Sequence, residues 1–403
     1  MKRLLALALA SLPIPAIAGD WPQFRGPDST GVADDATIPA KPGIEWSAPL
    51  PGRGLASPMV VAGKVFVSCS SGPKQERLHL ICFNASDGVK IWERQLQATG
   101  RTMSHPKTSI AASTPCSDGR RVFALWSCND LAAFDLEGNL LWVRGLTIDY
   151  PNASNSLGMA SSPIVIGETV VTLIENDSES YSLGIDANSG GNLWKLDRPK
   201  AANWTSPVPW RATAKSAPVA VLQSSKGLLA VDPISGSRLW EYTNGASTTS
   251  SSVVAAGVIY APSNGITALA PKAGDATPVQ LWNSKQVNPS TISPVVLGRH
   301  ILSINSAGIL TNVGTKSGEI LWKLRLTGPF SGSPVGAGPR LLAVNEKGLV
   351  QVMDVTKTEG FILGKLQLPL KEGTKELVLC TPALSGGHVF VRTDSTLWRL
   401  GDE

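Results

Sequence analysis

The chain has 403 residues, 42% of them hydrophobic and 17% charged, with a net charge of +5. Lys2 and Arg3 supply two of those charges, and the remaining +3, with no basic run, excludes a nucleic-acid-binding surface. Thirty-nine glycines and 29 prolines in a chain of ordinary hydrophobic content point to an all-β protein with many tight turns.

Residues 1–18 read as a secretory signal. Lys2 and Arg3 form its basic start, Leu4 to Ala10 its apolar stretch, and Ala16-Ile17-Ala18 its small-x-small cleavage site. Pro13 and Pro15 interrupt a stretch already too short for a membrane span, which needs about 20 apolar residues. No Cys follows the cleavage site, so no lipid anchor is expected there, and no later segment could span a bilayer. The mature chain is expected to be soluble and periplasmic or secreted. Residues 19–42 read as an extended N-terminal segment, and residues 43–403 as one repeat array.

The repeat opens on Ser-Pro or Thr-Pro, passes a Gly turn and a Val/Ile run, and closes on Gly-x-x-x-Trp. Ser57-Pro58, Thr114-Pro115, Ser162-Pro163, Ser206-Pro207 and Ser293-Pro294 open such units. Trp46, Trp92, Trp142, Trp194, Trp240, Trp282 and Trp322 follow one another at 46, 50, 52, 46, 42 and 40 residues. That period is the length of a four-stranded propeller blade. In the third unit the strands read as Ser162–Val165, Thr169–Leu173, Tyr181–Asp186 and Asn192–Leu196. Gly167 and Asn188-Ser189-Gly190 supply the turns, with Asp186 placed to accept turn amides.

Ser251 opens a fifth unit without the Pro. A seventh unit opens at Ser333-Pro334 and has Leu363-Gly364-Lys365 where the Trp would stand. An eighth, opening at Thr381-Pro382, has three strands before the chain stops. Gly43–Trp46 is a Trp-bearing fourth strand with no strands before it, so the two ends are predicted to share one blade. The expectation is an eight-bladed β-propeller of four-stranded antiparallel blades, its last blade closed by the N-terminal strand. Such closure hides open sheet edges. The seven Trp residues hold equivalent positions in seven of the eight repeats and therefore read as structural wedges between blades.

The pattern Ala-x-Asp-x-x-[Ser/Thr]-Gly-x-x-x-Trp resembles the PQQ-type β-propeller repeat. Val231-Asp232-Pro233-Ile234-Ser235-Gly236 with Trp240, and Ile185-Asp186-Ala187-Asn188-Ser189-Gly190, carry the resemblance. It covers residues 43–400. This is the tryptophan-docking pattern of quinoprotein dehydrogenases and of BamB-like envelope proteins. The segment Trp21–Pro27 is similar to the start of many exported bacterial proteins of this repeat type. The enzyme branch implies a quinone held with calcium, a carboxylate base and a pair of adjacent cysteines. The present chain has no Cys-Cys pair. The BamB-like branch implies a monomeric, non-catalytic scaffold for other envelope proteins, with no cofactor and no catalytic residues. The alternatives are a PQQ- and calcium-dependent oxidoreductase and a carbohydrate-binding propeller.

Other chemistry is thinly represented. His79, His105, His300 and His388 lie in different repeats, with His300 and His388 at matching strand-two positions; no metal site is expected. Cys69, Cys82, Cys116, Cys128 and Cys380 leave two readings open, one disulfide or buried free thiols. The connections between repeats are more telling. From a Trp to the next opening Pro the spacing is 12 residues at 46→58, 282→294 and 322→334, but 23 at 92→115 and 21 at 142→163. The extra length falls in residues 97–110 and 147–157, and a further enlargement in residues 70–77. In a four-stranded meander these connections all emerge on one face. Loops on a rigid scaffold are where recognition concentrates. The candidate partner-binding residues are therefore Arg101, Met103, His105, Lys107, Asp149, Tyr150 and Asn152. Trp204 and Trp210 flank the fourth opening strand and read first as core or channel packing, second as ligand contacts.

Overall fold

The computed structural model describes residues 19–153, 157–272, 277–356, 358–371, 373–374 and 376–403. The signal-like residues 1–18 lie outside them. Among the described residues, 32 strands form eight four-stranded antiparallel sheets. Blades 1 to 7 span residues 59–97, 116–145, 164–197, 208–242, 253–284, 295–325 and 335–367. Blade 8 combines Ala383–Ser385, His388–Arg392 and Thr396–Asp402 with Pro42–Pro49 as its outer strand. In that pairing Trp46 lies opposite Arg399 and Ala48 opposite Leu397. The inner strands of blades 8 and 1 pack together, so the ring is shut.

Middle strands such as Arg121–Leu125 and His300–Ile304 are mostly Val, Ile, Leu, Phe and Ala after their first residue, and that part is buried on both faces because each blade is sandwiched between two others. The apolar clusters accordingly bridge neighbours: Phe66, Cys82 and Trp92 of blade 1 pack with Val122, Ala132 and Phe134 of blade 2. Turns follow the same local logic. One oxygen of Asp186 accepts the amides of Asn188 and Ser189 at 3.1 and 2.7 Å. Asp232 does the same for Ile234 and Ser235, and the Ser235 amide holds its carboxyl below the usual carboxylate range.

Each outer strand carries one extra residue opposite its partner, immediately before the Trp position. It is Ile91, Leu141, Leu193, Leu239, Leu281, Leu321 and Leu363 in blades 1 to 7, and Glu45 in blade 8. A bulge re-aims the side chains beside it. In blades 1 to 6 and 8 it turns the extra residue outward, leaving Ile91 48% and Leu281 55% exposed, while the following indole swings into the next blade. The indole N–H groups of Trp46, Trp92, Trp142, Trp194 and Trp282 donate to turn carbonyls of that blade at 2.9–3.2 Å. A Cβ on Gly88 would fall 2.6 Å from Trp46, and φ there is +72°, so only glycine serves. Trp240 packs edge-on against Trp210, and Trp322 lies on Gly360. Blade 7 has Gly364 at the Trp position because the Ala40 carbonyl of the N-terminal segment passes directly over it.

That segment crosses the propeller before joining blade 8. Trp21 pairs with Val60 of blade 1, and the Pro22 carbonyl accepts the Ser117 amide of blade 2 at 2.8 Å. Arg25 then reaches Ser252 and Pro294 of blades 5 and 6, Val32 bridges to Gly336 of blade 7, and Arg340 donates to the Ile38 carbonyl. Between blade 2 and blade 6 the chain must cross the axis, so it seals one end of the central channel.

All five cysteines are buried free thiols, which decides between the two readings left open by the sequence. Burial pushes their thiols up, Cys82 to about 12.

Candidate functional site

The repeated Ser-Pro or Thr-Pro places a hydroxyl at the same axial position in every blade. Ser57, Thr114, Ser162, Ser206, Ser251, Ser293, Ser333 and Thr381 form a ring around the channel. Seven hydrogen bonds of 2.9–3.1 Å link them in order, each amide N–H donating to the hydroxyl oxygen of the next blade. The proline that follows has no N–H, so the crowded axis carries no further amide in need of an acceptor. Blade 5 tests that account, since Ser252 stands where the proline would be. Its N–H finds the Gln223 side-chain oxygen, at 2.8 Å.

An axial cavity of about 520 Å³ is lined by this ring together with Phe24 of the crossing segment. Two residues before each ring position lies a second tier: Leu55, Ala112, Ala160, Trp204, Thr249, Thr291, Ser331 and Leu379. Blades 8 and 1 to 4 thus contribute an apolar arc, and blades 5 to 7 a hydroxyl arc. The Trp204 N–H donates to the Gly158 carbonyl at 2.9 Å, which fixes the plane of its ring.

The enlarged connections meet at the mouth opposite Phe24. His105, Lys107, Thr108 and Leu157 line the cavity there. Lys107 reaches across to Glu346 of blade 7, both carboxylate oxygens lying 3.0 Å from its Nζ. Arg53 donates to the Pro106 carbonyl at 2.9 Å, and the His105 amide to the Leu157 carbonyl at 3.0 Å. The Gln75 side chain accepts the Ile110 amide, which ties in the third enlarged loop. The residue 98–110 loop is therefore strapped over the mouth from both sides.

The candidates named from the sequence divide into two groups. His105 and Lys107 line the cavity, with Arg101 and Met103 exposed on the same loop; Met103 is 41% exposed. Asp149, Tyr150 and Asn152 are not gathered with them. The short helix Leu146–Asp149 turns back onto blades 2 and 3, where Asp149 pairs with Arg144. Tyr150 packs 4.5 Å from Tyr181 and accepts from Asn192 at 2.7 Å, and the Asn152 carbonyl accepts the Ser178 hydroxyl. Burial pushes the Tyr181 hydroxyl up. Trp204 is a channel residue and Trp210 a core residue, its N–H bonded to the Gly257 carbonyl at 2.8 Å. Sequence reasoning missed the hydroxyl ring, Phe24 and Glu346. The ring did have a signal, a hydroxyl residue at the opening position of every unit.

A family model described as outer membrane protein assembly factor BamB matches residues 39–195, 156–312 and 262–363. BamB from Moraxella catarrhalis is similar in structure, with a TM-score of 0.66 at 16% identity, over 90% of this chain and 98% of that one. The quinohemoprotein alcohol dehydrogenase from Comamonas testosteroni has a TM-score of 0.69 at 14% identity, over 96% of this chain and 81% of that one. The C-terminal WD40 domain of Sif2 has 0.57 at 11% identity, over 91% and 99%. Identities this low speak to the fold alone. No curated protein matches the chain. The family match, which runs over most of the eight-bladed ring, means that this chain belongs to the PQQ-repeat propeller family described as outer membrane protein assembly factor BamB.

Proposed function

We propose that the chain is an exported, non-catalytic scaffold that binds other cell-envelope proteins, as a monomeric propeller, through the loop face over blades 1 to 3. Membership of a family named for an outer-membrane assembly factor supports the envelope setting. Among the described residues no helix is long and apolar enough to cross a membrane. The observation that carries the reading is the 98–110 loop. Lys107, Arg53 and His105 tie it down on both sides, so Arg101 and Met103 are held out on a pre-organised backbone, and pre-organisation lowers the ordering cost of binding.

The quinone alternative matches the donor set poorly. PQQ is a planar tricarboxylate, and calcium takes about six to eight oxygen ligands. The cavity offers one ammonium, Lys107, already paired with Glu346. Its other walls are hydroxyl, aliphatic and aromatic groups and His105. Among the described residues no three His, Cys, Asp or Glu side chains gather as a metal site.

The test is quantitative recovery of envelope assembly proteins from solubilised native membranes. Wild-type bait is expected to retain a defined partner, and Arg101→Glu and Met103→Glu to recover about tenfold less, a loss of ~1.4 kcal/mol. Equal recovery removes this face from the interface. A quinone absorbance band with dye-linked oxidation after addition of PQQ and Ca²⁺ overturns the non-catalytic reading.

A further inference from the structure

We propose that the axial cavity binds a neutral polyhydroxyl ligand the size of one or two sugar rings, a function separate from partner binding on the loop face. Its volume of about 520 Å³ falls within the range of about 300–1,000 Å³ typical of small-molecule sites.

The chemistry of the lining selects the ligand. Each linked ring oxygen already accepts an amide N–H, and none of these hydroxyls donates to a protein acceptor among the described residues. Each therefore offers the cavity it lines a free O–H donor and keeps one lone pair open. A guest must bring oxygen acceptors to meet them, because an unmet buried hydroxyl costs free energy. The next tier is two-sided. Trp204 and the aliphatic arc present an apolar wall, and Thr291 stands on the opposite side beside Thr249, whose hydroxyl lies 3.5 Å from the Ser290 carbonyl and 3.3 Å from the Ser247 hydroxyl. Ser331, also on that side, is spent on Glu346, at 2.7 Å. A pyranose has this same division, an apolar C–H face and a rim of hydroxyls.

Charge narrows the class further. Lys107 is the ammonium at the lining, and Glu346 neutralises it with both oxygens. An anionic guest would have to break that pair, and a cationic guest would find no free carboxylate. Phe24 closes the far end, so the ligand enters past the strapped loop.

The full chain is titrated by calorimetry and Trp fluorescence with glucose, maltose and N-acetylglucosamine, and with glucuronate and glucosamine as charged counterparts. Saturable one-to-one binding of a neutral sugar is expected. Trp204→Ala and Thr291→Val should each weaken it about tenfold, the scale of one lost buried contact. Ala160→Phe, which fills the cavity from the apolar side, should abolish binding at an unchanged unfolding temperature. That variant and Thr291→Val carry the test if Trp204→Ala fails to fold. No saturable binding of any neutral sugar, preference for glucuronate or glucosamine, or binding untouched by Ala160→Phe overturns the proposal.

Discussion

Nδ1 of His388 lies 3.2 Å from the Glu45 carboxylate, joining the blade that ends the chain to the strand that begins the ring. Arg399 completes the set, 2.7 Å from Glu45 and 2.6 Å from Nε2 of His388. A guanidinium only donates, so the facing imidazole nitrogen must accept and stay unprotonated. Burial, and then Arg399, hold the His388 pKa below its ordinary 6.5, against the opposing pull of Glu45.

The sign of the pH effect follows. The unfolded chain takes up this proton at higher pH than the folded one. The stability from neutral His388 is complete above pH 6.5 and is lost as pH falls from there through the lower folded pKa. The unfolding temperature of the wild type is expected to drop between pH 7 and pH 5 more than that of His388→Gln. Identical pH profiles in calorimetry would show that this proton does not govern ring closure.

Trp92 tests the wedge between blades. It is 8% exposed, its ring lies 5.8 Å from Phe66 and 6.4 Å from Phe134, and its N–H bonds to blade 2. Trp92→Ala should cost about 3–5 kcal/mol in urea unfolding. Gly138→Ala should also destabilise, by ~1–2 kcal/mol from the backbone alone. Its φ is +85°, and the new Cβ would lie 2.7 Å from the indole. A loss below 1 kcal/mol for Trp92→Ala would show the indole to be dispensable.

Arg25 is fully buried, and among the described residues its guanidinium bonds only to backbone carbonyls, those of Ser252, Pro294 and Thr30. Burial pulls its pKa down to about 9, so it remains charged at neutral pH. Arg25→Ala orphans the buried carbonyls of Ser252 and Pro294, each worth about 1–3 kcal/mol. The expected outcome is a loss on the order of 2–5 kcal/mol, with faster hydrogen exchange in residues 19–35. Wild-type exchange there would show that the crossing segment is held by something else.

The five thiols should be silent in the folded state, since all are buried and none is paired. An aromatic disulfide reagent should label none in the native protein and five in guanidinium. Fewer than five after unfolding without reductant would reveal a disulfide.

The ring and its closure were legible because one local solution is written out again and again. Gly-x-x-x-Trp specifies a turn and an outer strand, and the unmatched Trp46 strand can be completed only by the three strands after Thr381. The loop face was legible from spacing alone, and it brought Arg101, Met103, His105 and Lys107 onto one loop. Asp149, Tyr150 and Asn152 stood in an equally enlarged connection, yet the helix at Leu146 folds that loop down against Tyr181 and Lys195. Loop length says that residues are available, not which way the chain turns.

Blade count, strand order and the sidedness of the long connections were thus determined within single repeats, where turn chemistry and periodicity act over a few residues. Which residues meet on the axis was decided only by the closed ring. The hydroxyl ring takes one residue from each blade, Lys107 finds Glu346 across the mouth, and Gly364 yields its place to Ala40. Those contacts depend on the curvature summed over eight blades and on the path of a segment that crosses them, and no single repeat contains either.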